Sequence, residues 1–241
     1  MKKIKTLGII TMIFVVLIIA VFAVLALFGV FRFETDPESG KSEITFEPID
    51  NRNPAFVWQT SETEGDITAV IKTEKGNIEI KLGDCAAAEK FVSLDNEGAF
   101  ENAEFSVLAK DMFIQASVSG ENFELEQTEY LPLCGAVAFV MDGEKAAPSF
   151  VIITAEELSG SSRAFLSNNN FGEEKTGFYK NFGGIPEYEG KIIVFGTVTS
   201  GFETLEKISS GENSGYTGGY LAAEPVKINS VEISFPTEAS E

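Results

Sequence analysis

Histidine is absent from this 241-residue chain, and cysteine occurs only twice. The absence of histidine excludes Ser-His and Cys-His catalytic pairs and any metal site built on imidazole. Basic residues are scarce as well: 18 Lys and Arg stand against 37 Asp and Glu, which gives a formal net charge of −19. Such an acidic surface repels phosphate backbones, so we expect no nucleic-acid partner. The acidic residues do not follow calcium-loop spacing, and we expect neither a metal nor another cofactor.

Charged residues are missing from residues 7–31, an apolar stretch long enough to cross a bilayer core about 30 Å thick. Lys2, Lys3 and Lys5 precede this stretch, whereas acidic residues follow Arg32, so the positive-inside rule places residues 1–6 in the cytoplasm. We therefore predict a single-pass anchor in the cell membrane, an extracytoplasmic C-terminal domain, and membrane contact through this helix only. The alternative is a cleaved signal peptide.

The chain beyond the anchor divides into an acidic tether, residues 32–65, a folded domain, residues 66–234, and a tail, residues 235–241. The tether is rich in Asp, Glu, Ser, Thr and Pro and shows no sustained hydrophobic period. Its one apolar island, Phe56-Val-Trp58, predicts a strand or staple that packs on the domain, or alternatively a motif that docks a partner. The domain is of a size that forms one hydrophobic core.

Short runs of β-branched and aromatic residues recur through the domain with turn signals between them. They predict strands at residues 68–72, 77–82, 104–108, 112–117, 135–140, 150–154, 192–198 and 226–233. This spacing is typical of a closed antiparallel barrel. Helical patterns occupy residues 86–96 and 202–209. An insertion, residues 155–183, is poor in strand formers and predicts a turn at 167–170 and a short helix at 173–181, capped by Asn170 or a neighbour.

The segment Phe105-Ser-Val-Leu-Ala-Lys-Asp-Met-Phe-Ile-Gln115 resembles F-H-R-V-I-x-x-F-M-I-Q, the central motif of the cyclophilin-type peptidyl-prolyl isomerases. Five further segments resemble cyclophilin motifs in the family's order, at residues 72–82, 88–94, 135–139, 148–154 and 179–208. The resemblance covers about residues 66–234 and is closest to bacterial members with a long loop. It implies a mainly β fold: a closed eight-stranded antiparallel barrel capped by the two helices, here preceded by one transmembrane helix.

The resemblance also implies an activity, the cis-trans isomerisation of X-Pro bonds. This reaction needs no nucleophile or metal, only an apolar pocket for the proline ring and a donor aimed at the amide. The family's arginine donor corresponds to Val107, its neighbouring histidine to Ser106, and its glutamine is retained as Gln115. The implied substrate-binding residues are Met112, Phe113, Gln115, Ser149, Val151 and Tyr188.

Among the family's polar site residues, the chain retains only the glutamine, as Gln115. We therefore assign no catalytic residue. We expect a membrane-anchored peptidyl-prolyl isomerase-class protein with weak or lost activity, whose partners are unfolded or extended proline-containing polypeptides. One alternative is a non-catalytic peptide-binding or scaffold module of the cell envelope. Another is a closed groove in which the same residues are only core and rim. A lipocalin-type ligand barrel is disfavoured, because the order of segments follows cyclophilins.

Cys85 and Cys134 leave two alternatives open. An extracytoplasmic domain with two cysteines permits a disulfide, which would close a loop of about 50 residues and contribute roughly 4 kcal/mol in the chain-entropy model. The other alternative is a pair of buried free thiols that act as small apolar residues.

Overall fold

The computed structural model describes residues 32–35, 42–45, 52–61, 65–214 and 220–236. The described residues belong to two units, one within residues 1–51 and the other within residues 52–241. In the first unit, strands β1 (Arg32–Thr35) and β2 (Ser42–Thr45) pair antiparallel. The predicted cytoplasmic N-terminus and membrane anchor lie outside the described residues. Among the residues that are described, no helix has the length and apolar character needed to cross a bilayer.

Eight strands of the second unit close into an antiparallel barrel in the order β10-β3-β4-β9-β7-β8-β6-β5. The strands are β3 (Ile67–Thr73), β4 (Gly76–Leu82), β5 (Glu104–Ala109), β6 (Phe113–Ser117), β7 (Ala136–Asp142), β8 (Lys145–Ile153), β9 (Ile192–Ser200) and β10 (Leu221–Ser234). Strand β10 closes the barrel by pairing with both β3 and β5. The mainly β, eight-stranded barrel predicted from the sequence is confirmed.

The helices of this unit are α1 (Pro54–Thr60), α2 (Ala86–Asn96), α3 (Gly160–Asn168), α4 (Gly172–Phe182) and α5 (Phe202–Ser209), with a 3₁₀ turn η1 (Pro186–Tyr188). Helices α2 and α5 have the bounds that their sequence patterns predict. They insert Phe91 and Ile208 into the barrel core, where both side chains are fully buried. The Phe91 ring lies 5.0 Å from that of Phe195, centroid to centroid, so α2 is tied to the interior by aromatic packing.

Strands β8 and β10 begin well before their predicted starts, and each contains a proline where its register shifts. Strand β8 begins at Lys145 and includes Pro148, where the register with β7 shifts. Strand β10 begins at Leu221 and includes Pro225, where the register with β5 shifts. Proline has no N–H to give to a ladder, and a bulge is one of the few places in a sheet where that loss is harmless.

The insertion forms two helices where the sequence predicts one. Helix α3 was not predicted; it is capped by Ser159, whose Oγ accepts a hydrogen bond from the Ser162 N–H at 3.0 Å. Helix α4 was predicted; its N-cap residue is Phe171, the neighbour of Asn170, and it makes no side-chain cap bond. Both helices bury apolar side chains against the loop before β7, through Leu166, Phe178 and Tyr179.

Residues 54–60, which composition places in the tether, form helix α1 and pack on the domain. Phe56 is 3% exposed and its ring meets Phe178 edge-on at 5.5 Å. The side-chain amide of Gln59 makes two hydrogen bonds to the backbone of Leu131, as a residue of a paired strand would. It donates to the Leu131 carbonyl at 2.8 Å and accepts from the Leu131 N–H at 2.7 Å. The apolar island therefore contacts the domain as a helix rather than as a strand.

A buried lysine holds the end of α1. Lys81 of β4 donates from Nζ to the carbonyls of Trp58 and Ser61, and lies 4.6 Å from the centroid of the Trp58 ring. The indole N–H of Trp58 donates in turn to the carboxylate of Asp66 at 3.1 Å. Burial lowers the pKa of Lys81, and the Asp66 charge opposes that shift. These contacts satisfy carbonyls that the last turn of a helix otherwise leaves unpaired.

Cys85 and Cys134 are free thiols, so the disulfide alternative is not realised. Burial raises the pKa of Cys85 and raises that of Cys134 to about 11. Both thiols are therefore protonated at neutral pH and behave as small apolar groups.

Candidate functional site

A bulge in β5 determines the face of the barrel from which Val107 projects. The resemblance places Val107 at the family's arginine. Phe105 pairs with Ala116 and Val107 pairs with Gln115, so Ser106 is the extra residue of the bulge. An extra residue reverses the alternation of side chains along a strand. Phe105 is accordingly fully buried in the barrel interior, whereas Val107 packs with a separate cluster on the outer face.

Val107 belongs to a row of residues that crosses the outer face of the barrel. The row follows the register of five neighbouring strands, β5, β6, β8, β7 and β9, through Val107, Gln115, Val151, Ala138 and Val194. Residues paired across a sheet project from the same face. The row therefore forms a continuous floor, in which Gln115 is the only polar side chain.

Four of the predicted substrate-binding residues lie in one apolar cluster with Val107: Met112, Phe113, Val151 and Tyr188. Phe113 is 9% exposed and Val151 2% exposed, so these two form the base of the site. Met112, Tyr188 and Val107 are half-buried and present apolar surface to a ligand. The ring of Tyr188 lies 5.9 Å from that of Phe113, centroid to centroid, and forms a wall beside the floor.

The remaining two predicted residues are joined by a hydrogen bond that the sequence did not indicate. Gln115 donates from Nε2 to the Ser149 Oγ at 2.7 Å, and that hydroxyl donates to the Ala116 carbonyl at 3.1 Å. Ser149 is buried and Gln115 is half-buried. One N–H of the retained glutamine is thus committed to a partner within the barrel wall, which restrains its amide beside Val107.

The rim of the site is set by η1, which carries Tyr188. The Ile185 N–H donates to the Pro132 carbonyl at 2.9 Å, before the turn. Glu187 accepts from the Ser162 hydroxyl at 3.0 Å, and Glu189 accepts from the Tyr179 hydroxyl at 2.8 Å. Both helices of the insertion therefore fix the turn. The Glu187 carboxylate is directed to α3 rather than over the floor.

Burial raises the pKa of Tyr188, and the nearby Tyr220 and Glu187 raise it further. The phenol consequently remains protonated well beyond neutral pH. Ile192 is buried in the outer cluster, where it pairs with Val140. The arrangement offers an apolar surface with two neutral polar groups, Gln115 and Tyr188, and the ammonium of Lys191 lies 6.0 Å from the centroid of the Tyr188 ring. Val107 stands where the resemblance implies the family's arginine.

Sequence reasoning missed the side of the site formed by β10. Leu221 pairs with Val107, and the Tyr220 carbonyl accepts a hydrogen bond from the Leu108 N–H at 2.6 Å. The alternating pattern of β10 is interrupted at Pro225, so the predicted strand began only at residue 226 and left both residues out. The two apolar residues before that proline, Tyr220 and Leu221, are the sequence signal that the strand begins earlier.

Comparison with known proteins agrees with this geometry. The family model described as cyclophilin type peptidyl-prolyl cis-trans isomerase/CLD matches residues 68–233. A protein of Staphylococcus saprophyticus, named as an inferred peptidyl-prolyl cis-trans isomerase, is 27% identical over 161 residues, which are 60% of this chain and 82% of the relative. One of Staphylococcus aureus strain USA300 with the same name is 27% identical over 163 residues, 61% of this chain and 83% of the relative.

Among solved structures, the fold is similar to that of a cyclophilin type peptidyl-prolyl cis-trans isomerase of Cryptosporidium parvum. The TM-score is 0.51 at 17% identity, and the match covers 70% of this chain and 98% of the other. A second structure of that protein, in the presence of the dipeptide Ala-Pro, gives a TM-score of 0.50 at 18% identity, over 69% of this chain and 98% of the other. Because the family model spans most of the barrel described above, the chain belongs to the cyclophilin-type peptidyl-prolyl cis-trans isomerase family.

Proposed function

We propose that this chain is a membrane-anchored, extracytoplasmic cyclophilin that binds extended, proline-containing segments of secreted polypeptides and isomerises X-Pro bonds weakly or not at all. One observation carries the proposal. The bulge at Ser106 directs position 107 to an apolar outer face, as a catalytic donor would require, and that position holds valine.

Binding is supported by the shape and chemistry of the outer face. Phe113 and Val151 form an apolar base, while Met112 and Tyr188 present half-buried surface beside it. Apolar surface with a few placed polar groups suits a proline ring and an adjacent amide. The fold relative from Cryptosporidium parvum, solved in the presence of Ala-Pro, makes a prolyl ligand a reasonable first probe for this chain.

Weak catalysis is supported by the loss of the donor. Rotation about a peptide C–N bond meets a barrier of about 18–20 kcal/mol, and a site lowers it only by interactions that strengthen as the amide twists. Removing one preorganised donor of this kind costs roughly 10² to 10³ in rate. Val107 has no donor, and the amide of the neighbouring Gln115 already donates to Ser149.

The location rests on the sequence. Residues 7–31 are uncharged and long enough to cross a membrane, and lysines precede them. A domain held outside the cytoplasm by such an anchor would meet polypeptides as they leave the membrane, still extended and with prolyl bonds in both isomers. Fusing a reporter after residue 241 that is active only outside the cytoplasm tests this orientation.

The functional test is a protease-coupled isomerisation assay on the full chain in detergent, run beside an arginine-bearing relative. We expect turnover at least about two orders of magnitude below the relative. Calorimetric titration with the same X-Pro peptide, and with a control peptide that has alanine for proline, should show binding only of the first. Absence of binding to both peptides would favour the alternative of a scaffold module with a closed groove.

A further inference from the structure

Two exposed apolar residues, Tyr220 and Leu221, lie where β10 begins at the edge of the site. Leu221 is 53% exposed and Tyr220 50% exposed, although each is held by the barrel wall. Leu221 is in register with Val107, and the Tyr220 carbonyl accepts the Leu108 N–H at 2.6 Å. Neither side chain is required for the core, since both leave about half their surface in water. Their position is fixed by the strand that closes the barrel.

Register places Leu221 on the same face as the floor of the site. The row that passes from Val107 through Gln115 to Val151 is extended by Leu221 at its open end. Tyr220 precedes Leu221 and stands opposite Leu108, whose N–H donates to the Tyr220 carbonyl. The exposed apolar surface of Leu221 therefore adjoins Val107 at the edge of the proposed proline pocket.

We infer that Leu221 forms a flanking subsite, which selects extended polypeptides with a large apolar residue close to the proline. This inference rests on the proposed function. Neighbouring strands lie about 4.8 Å apart, and an extended chain advances about 3.3 Å per residue. A peptide that seats its proline against Val107 and Phe113 thus brings a residue one or two positions away over Leu221. An aliphatic or aromatic side chain there covers apolar surface that otherwise faces water.

The experiment measures a preference between peptides rather than a single affinity. A series of extended peptides, each with one proline, carries leucine in turn at the two positions before and the two after it; a reference peptide has serine at all four. Titration is by calorimetry on the full chain in detergent. Leucine at one of these positions should tighten binding about five- to tenfold over the reference, from the apolar area that it buries.

The variant Leu221→Ser should lose this preference, so that it binds the leucine peptides no more tightly than the serine reference peptide. Phe235→Ser is the matched control, because Phe235 is 64% exposed just beyond the other end of β10, and it should keep the preference. Binding of prolyl peptides without a leucine preference, or a preference that survives Leu221→Ser, overturns the subsite alone. Failure of every prolyl peptide to bind overturns the proposed function together with the subsite.

Discussion

Val107 of β5 lies directly opposite Gln115 of β6 on the outer face of the barrel, and the resemblance places these two residues at the family's arginine and glutamine. The pairing itself is intact: the bulge at Ser106 still directs position 107 to the site. What differs is the chemistry of the side chain, since valine can pack against a proline ring but cannot donate a hydrogen bond to its amide.

Restoring the arginine alone should restore little activity. We expect Val107→Arg to raise kcat/KM less than about tenfold, because Ser149 holds the neighbouring Gln115 amide and Ile192 supplies no polar contact. Val107→Met, a long side chain without a donor, is the matched control in the same isomerisation assay. Recovery of the rate of an arginine-bearing relative by Val107→Arg would show that one residue accounts for the whole loss.

The bond between Gln115 and Ser149 should stabilise the barrel wall. Ser149→Ala removes both the acceptor for Gln115 and the donor to the Ala116 carbonyl, and should lower the free energy of unfolding by about 1 to 2 kcal/mol. Ser117→Ala is the control, since Ser117 pairs with Ser149 in the ladder but is exposed. Urea denaturation measures both. Equal midpoints for the two variants would contradict a structural role for this bond.

Helix α1 should behave as part of the domain. Phe56→Ala removes a side chain packed against Phe178 and should cost about 3 to 4 kcal/mol of unfolding free energy. A soluble fragment that begins at Arg52 should likewise unfold at higher denaturant concentration than one that begins at Gly65. Phe235→Ala, which removes an exposed ring, is the control and should change stability by less than about 0.5 kcal/mol. A loss no larger for Phe56→Ala than for the control would mean that α1 does not contribute to stability.

The buried thiol of Cys134 should make stability depend on pH in the alkaline range. Burial raises its pKa from an ordinary value of 9.0 to about 11, so the folded protein disfavours the thiolate that the unfolded chain forms freely. This contribution is fully present below pH 9 and is lost as pH rises to about 11. Between those values the wild type should lose more stability than Cys134→Ala, as measured by urea unfolding. Parallel pH profiles for the two proteins would contradict a raised pKa for this thiol.

The barrel could be predicted because its signals are local. Alternation over five to nine residues predicts most strands, and spacings of three and four residues place α2 and α5 at the bounds that the structure has. The extra lengths of β8 and β10 were missed because Pro148 and Pro225 interrupt the alternation. Whether a proline lies at a bulge depends on the register with the partner strand, and that strand is distant in sequence.

The site could be predicted only in part, for the same reason. Resemblance supplied the residues, and the structure brings Met112, Phe113, Val151 and Tyr188 into one cluster. The hydrogen bond from Gln115 joins residues 34 positions apart, and the contact of Gln59 with Leu131 joins residues 72 positions apart. No pattern within one segment encodes such contacts, since they depend on how the closed barrel and the insertion bring those segments together.

The central claim is that the site binds prolyl segments without the donor that speeds their isomerisation. Exchange spectroscopy by NMR, on an X-Pro peptide mixed with the full chain in detergent, reports both properties in one sample. The account predicts shifted or broadened peptide resonances, which indicate binding, together with cis-trans exchange at least about a hundredfold slower than an equal amount of an arginine-bearing relative produces. Exchange as fast as with that relative would contradict the account and would require another group of this chain to donate to the amide.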